Sequence, residues 1–210
     1  MGSNPTLITN YKKIKIMKIQ LIDRNEGMCE QWKLQFKDSE DVIVHCGDFF
    51  SLPTDCVVSP ANSFCKMDGS LDYVISMRLG WQISRKLQIE LQKNYNGELL
   101  VGQAILVETD NPEVPYLISA PTMRVPGSNI SNTVNVYLAT KAIFQLLKKV
   151  EKEYPNLINS VTISGLGTGV GRFPYDLCAL QMKEAYNDFW LGNYKFPVNW
   201  QEIKHFELLK

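Results

Sequence analysis

Four glycines stand at every second position in Gly165-Leu166-Gly167-Thr168-Gly169-Val170-Gly171-Arg172-Phe173-Pro174. A β-type run, Val161-Thr162-Ile163-Ser164, precedes them, and a helical pattern, 175–190, follows. Such a loop can turn sharply and bring its backbone close to a ligand, because no side chain intervenes. Backbone N–H groups in it, with a helix start behind them, favour an anion such as phosphate. Pro174 suits the first turn of that helix, where its missing N–H costs nothing.

The spacing excludes the commoner phosphate loops. It is not G-x-G-x-x-G, and no Gly-Lys-Ser/Thr follows. It also lies late in the chain, whereas a dinucleotide fingerprint opens the first βα unit. A glycine-rich connection without a ligand is the alternative at this point. The five cysteines (Cys29, Cys46, Cys56, Cys65, Cys178) contain no Cys-x-x-Cys pair, and their odd number fits reduced intracellular thiols, so a cytoplasmic or otherwise intracellular location is expected. Cys46, Cys56 and Cys178 read as small core residues, and nothing marks Cys65 as activated. The two histidines, His45 and His205, have no partner at metal-ligand spacing, so no metal and no cofactor is expected. His45, at the end of an apolar strand, reads as structural, and His205 as a surface residue.

Positioning these groups requires a core, and 210 residues suffice for one domain. Lys+Arg and Asp+Glu are equal at 22 each, which gives no basic face for nucleic acid. No apolar run approaches the ~18 residues of a membrane span, and no secretory signal is visible. Residues 1–14 read as an irregular lead or an expression remnant, 15–190 as the motif-bearing core and 191–210 as an extension that packs back. Strands are expected at 14–23, 42–46, 55–59, 104–108, 116–119 and 161–164. Helices are expected at 27–36, 70–79, 81–95, 133–154 and 175–190, with Leu138, Ala142, Leu146 and Val150 or their neighbours marking the buried face of the fourth. The alternation predicts a three-layer α/β/α sandwich with a mixed, mostly parallel central sheet.

Three further segments matter beside the glycine loop. They are Gly47-Asp48-Phe49 after a strand, Val57-Val58-Ser59-Pro60-Ala61-Asn62 at a strand end, and Met67-Asp68-Gly69-Ser70-Leu71-Asp72 running into a helix. In this order, with the Gly-Thr-Gly-Val loop about a hundred residues on, they resemble the macro domain family of ADP-ribose-binding and ADP-ribose-processing proteins, from about residue 15 to 190. The resemblance implies a ligand, ADP-ribose or an ADP-ribosylated substrate, and a role for each segment. Asp48 would accept from the exocyclic amine of adenine, with Phe49 beside it; a turn residue is the other reading of Asp48. Asn62 would meet the distal ribose, or form an Asx-turn. Gly165, Gly167, Thr168, Gly169 and Val170 would cradle the diphosphate.

The chain departs from the family in two places. Lys66-Met67-Asp68-Gly69-Ser70 carries one glycine where the family has a run of three or four, with Gly69 and Ser70 left to approach the ligand. Gly171 stands where the family has an aromatic over the ribose, leaving Arg172 as a fork to phosphate or Phe173 as the wall. Phe196 and Trp200 are candidates for the adenine-stacking aromatic by location only. Ten positions separate Asn62 from Asp72, as in hydrolytic members, where an aspartate orients or activates the attacking water. Asp72 would then be the catalytic base, beside Asn62; the competing reading is a helix cap, and Asp68 is a second carboxylate nearby. The implied activity is hydrolysis at the distal ribose of an ADP-ribosyl protein, O-acetyl-ADP-ribose or ADP-ribose 1''-phosphate. A non-catalytic reader and a ligand-free interaction module remain the alternatives.

Overall fold

A computed structural model describes residues 17–206, apart from the side chain of His205. The expectations for 1–14, for the start of the first strand and for the His205 side chain lie outside the described residues. The elements run β1 (Lys18–Asp23), α1 (Glu26–Gln35), β2 (Val42–Cys46), β3 (Cys56–Ser59), α2 (Ser70–Leu79), α3 (Gln82–Asn94), β4 (Ile105–Glu108), β5 (Tyr116–Ser119), α4 (Asn135–Glu153), β6 (Ser160–Ile163) and α5 (Tyr175–Ala185). A π-helical turn, Tyr186–Trp190, continues α5, and α6 (Trp200–His205) closes the described chain. Among the described residues no helix is long and apolar enough to cross a membrane.

The six strands form one sheet in the order β2-β1-β6-β3-β5-β4. Every pairing is parallel except β4 with β5. All four residues of β3 and the last three of β5 and of β6 are buried, as in strands covered on both faces. Cys56, Val58 and Ile118 point into the core under α1, α4 and α5, while Val57 and Leu117 point into a second core under α2 and α3. The sheet therefore lies between two helical layers, the expected α/β/α sandwich.

Two local expectations are corrected and a third holds. Cys46 is exposed because β2 is an edge strand, while Cys29, Cys56, Cys65 and Cys178 are buried. The extension after Trp190 packs back only at its start: Tyr194 stacks on Phe189 and the Asn193 and Tyr194 N–H groups donate to the Asn187 and Asp188 carbonyls, while Phe196, Val198 and Trp200 are 79%, 81% and 77% exposed. The buried face of α4 includes Ala142 and Val150 as expected, and beside the half-buried Leu138 and Leu146 it is their neighbours Ala139 and Leu147 that are buried.

Parallel strands bring their carboxyl ends to one edge, and in open α/β sheets ligands sit outside that edge. Asp23 ends β1, Ser59 ends β3 and Ser164 follows β6. These positions converge although they are far apart in sequence.

Candidate functional site

Two adjoining cavities open at this edge. The larger, about 370 Å³, is lined by Asn62, Asp72 and Gly69 on one side and by Gly165, Thr168 and Gly169 on the other. The smaller, about 250 Å³, holds Gly47, Asp48, Phe49 and Val74. Asp23, Ser70, Leu71 and Ser164 line both.

The glycine loop owes its shape to three of its four glycines. A Cβ on Gly165 would lie 2.8 Å from Thr168 Oγ1 and 3.0 Å from Asp23 Oδ2. Gly167 has φ +71°, and its Cβ would meet Ile130 Cδ1 at 2.6 Å. A Cβ on Gly171 would stand 2.5 Å from the Gly167 carbonyl oxygen, closer than a Cβ can come to backbone. Gly169 is different: it has no positive φ, and its Cβ would make an ordinary 3.6 Å contact with Ser70 Oγ across the mouth of the cavity. The loop's own hydrogen bonds use the N–H groups of Thr168, Arg172 and Phe173, and the Gly165 N–H donates to Asp23 Oδ2 at 3.1 Å. Among the described residues, no protein acceptor meets the N–H groups of Gly169, Val170 and Gly171. Three free donors in one turn beside a cavity suit an oxyanion. Pro174 sits one position outside α5, as its N-cap, where its carbonyl accepts from the Cys178 N–H.

Asp72 faces this loop from the first turn of α2 and is only 8% exposed. It does not cap that helix. Ser59 Oγ donates to its Oδ1 at 2.6 Å, and Oδ2 has no protein donor among the described residues. Burial, reinforced by the neighbouring Asp68 and opposed by the Ser59 hydrogen bond, pushes its pKa up to about 7. Asn62 is largely committed to its own loop. Its Oδ1 accepts from the N–H groups of Phe64 at 3.1 Å and Lys66 at 3.4 Å, and its Nδ2 donates to the Lys66 carbonyl at 3.0 Å. One Nδ2 hydrogen is left for a ligand. Asn62 can thus donate to a sugar hydroxyl while its carbonyl oxygen serves the Asx-turn.

In the smaller cavity Asp48 Oδ1 accepts from the Phe50 N–H at 2.9 Å, and Oδ2 pairs with Arg24 Nη2. The Phe50 hydrogen bond, then the Arg24 guanidinium, hold its carboxyl below the usual range. Phe49 lies beneath it in the core under α2 and α3. Two predicted residues are placed elsewhere. Phe173 is buried in the other core and Arg172 is exposed at φ +56°, and neither lines either of these two cavities. Tyr175, Met123 and Pro126 provide walls instead.

Asp23 is the residue that sequence reasoning missed. It ends β1, accepts from Asn25 and Gly165 backbone N–H groups, and so ties the first strand to the glycine loop. Its partner Gly165 is 142 positions away. The only local signal was a strand ending in Asp-x-Asn, with Asn25 capping α1.

Fold and site together define an α/β/α sandwich with a cleft at the carboxyl edge of its sheet, walled on one side by the glycine loop. The Macro domain model matches residues 58–182. A protein of uncharacterised function from Aquifex aeolicus is 32% identical over 149 residues, covering 71% of this chain and 82% of its own length. This chain belongs to the Macro domain family. Among solved structures, the macrodomain of Mycobacterium tuberculosis DarG is similar with a TM-score of 0.57 and 16% identity, over 69% of this chain and 88% of that one. A mutant Oceanobacillus iheyensis macrodomain solved with ADPR is similar with a TM-score of 0.53 and 21% identity, over 65% and 72%. The matched family segment opens inside β3, so β1, α1, β2 and the Gly47-Asp48-Phe49 turn precede it.

Proposed function

We propose that this chain binds ADP-ribose across the two cavities and hydrolyses a bond at its distal ribose. Adenine occupies the smaller cavity, where Asp48 accepts from the exocyclic amine in place of, or beside, Arg24. The diphosphate lies on the N–H groups of Gly169, Val170 and Gly171, a positioning contribution. The distal ribose reaches Asn62, whose free Nδ2 hydrogen donates to a sugar hydroxyl. Water stands between Asp72 and the anomeric carbon. Asp72 takes a proton from the water as its oxygen attacks that carbon; the bond from the carbon to the departing oxygen breaks, and the bonding pair leaves with that oxygen. An ADP-ribosylated carboxylate side chain and ADP-ribose 1''-phosphate fit this step; for O-acetyl-ADP-ribose the same water would add to the acyl carbon, with the ribose oxygen as the leaving group and acetate as the product. The observation that carries the reading is Asp72: a carboxylate on the cavity wall, buried, oriented by Ser59, with its pKa raised to about 7. A general base is most effective when its pKa is near the working pH.

Calorimetric titration tests the binding half. ADP-ribose should saturate one site on the wild type. Asp48→Ala should weaken that binding by about 1.5–3 kcal/mol, the worth of a hydrogen bond to a charged group. Ribose 5-phosphate, which has no base, should bind both proteins alike. Equal losses for the two ligands would mean that the Asp48 side chain holds the 48–51 turn through its bond to the Phe50 N–H rather than reading adenine.

A further inference from the structure

Two of the five cysteines meet beside the smaller cavity. Cys29 lies on α1 and is buried, while Cys46 ends β2 and is exposed. Val42 and Val44 of β2 pack on the core that α1 covers with Met28 and Trp32. Cys46 continues their face, because side chains alternate along a strand. The Cys29 thiol donates to the carbonyl oxygens of Asp23 at 3.3 Å and His45 at 3.9 Å. Asp23 is the β1 partner of Cys46, and His45 is its neighbour in β2. Burial, and after it a hydrogen bond between the two thiols, raises the pKa of Cys29. The other three cysteines, Cys56, Cys65 and Cys178, are buried, and their sulfurs meet backbone oxygens, a hydroxyl or a thioether.

We propose that Cys29 and Cys46 form a reversible disulfide in the presence of hydrogen peroxide, and that this linkage weakens binding at the adenine cavity. The exposed Cys46 thiolate attacks one peroxide oxygen, the O–O bond breaks and hydroxide leaves, which makes Cys46 a sulfenic acid. The Cys29 sulfur then attacks the Cys46 sulfur. The S–O bond breaks, and the hydroxyl departs with the Cys29 proton as water. In sum, two thiols are oxidised, one peroxide is reduced and two waters form. Hydrogen-bonded sulfurs lie well beyond the ~2.05 Å of a disulfide, so the linkage needs a movement. α1 is anchored by Met28 and Trp32, both fully buried, whereas β2 is an edge strand. The end of β2 gives way, and the next residues carry the site. The Asp23 carbonyl that takes the Cys29 S–H also takes the Gly47 N–H at 2.9 Å, and Gly47 leads directly into Asp48. The Asp48 carboxylate moves with this turn. The effect on binding rests on the proposed placement of adenine; the linkage itself does not.

The test treats the full chain, wild type and Cys46→Ser, with hydrogen peroxide at neutral pH. Free thiols are then blocked, linked peptides are mapped by mass spectrometry, and each form is titrated with ADP-ribose and with ribose 5-phosphate. Wild type should yield a peptide joining Cys29 to Cys46. Its oxidised form should bind ADP-ribose at least about tenfold more weakly than its reduced form, the fold-change of a lost hydrogen bond to a charged group. Binding of ribose 5-phosphate should not change, and dithiothreitol should restore the affinity for ADP-ribose. Cys46→Ser should bind like reduced wild type before and after peroxide. A Cys29 thiol still free beside a Cys46 oxidised to sulfinic acid overturns the proposal. So does a Cys29–Cys46 linkage that leaves the affinity for ADP-ribose unchanged, or an equal loss of affinity in peroxide-treated Cys46→Ser. A reduced wild type that binds no ADP-ribose overturns the proposed function, and the control of binding with it, even where the linked peptide is found.

Discussion

Gly169→Glu protein is expected to fold like the wild type and to have lost ADP-ribose binding. The backbone at residue 169 does not need glycine, and a side chain leaving it points across the cavity mouth toward Ser70. The new carboxylate would occupy the place of the diphosphate, beside the donors that receive it, and would repel it. Gly171→Ala provides the contrast. Its Cβ would press on the Gly167 carbonyl at 2.5 Å, and such overpacking costs about 1–3 kcal/mol. Melts and titrations of the two variants should therefore diverge: Gly169→Glu stable and unable to bind, Gly171→Ala less stable. A folded Gly169→Glu that binds ADP-ribose like wild type would remove the diphosphate from this loop.

Asp72→Asn should separate binding from chemistry. Asparagine keeps the shape of the side chain and an oxygen for Ser59 to donate to, so the cavity wall and the affinity for ADP-ribose are retained. It cannot take a proton from water. Release of ADP-ribose from an ADP-ribosylated substrate should fall by about 10²–10⁴-fold, the usual worth of a positioned base. Equal turnover by both proteins would transfer the base role to another group, with Asp68 the neighbouring carboxylate on the same cavity.

Local features were legible in the sequence, and long-range partnerships were not. The expected bounds of α2 and β5 are the observed ones, because Gly69 and Gly80 punctuate the helix and an apolar run sets the strand. The glycine loop stood out by spacing, yet spacing could not tell Gly169, which faces the cavity, from Gly165, Gly167 and Gly171, which the loop itself requires. That distinction depends on Ile130, Thr168 and Asp23. Ser59 was read only as part of the strand-end segment 57–62; its bond to Asp72 became visible when β3 met α2. The π turn was read as plain helix. Its extra residue per turn brings Tyr186 and Trp190 together onto Asp41, each at 2.5 Å, a geometry that no local pattern announces. The tail aromatics suggested packing by composition alone; Tyr194 does stack on Phe189, but Phe196 and Trp200 stand exposed.

The pH dependence of turnover tests the role of Asp72 most directly. Its pKa is raised by burial to about 7, and a base works in its ionised form. Single-turnover release of ADP-ribose should rise about tenfold per pH unit below that value and level off above it. The limb should be absent from whatever residual rate Asp72→Asn retains. A wild-type rate that is flat from about pH 5 to 8, or no release at all by protein that binds ADP-ribose tightly, would contradict the assignment of Asp72 as the base.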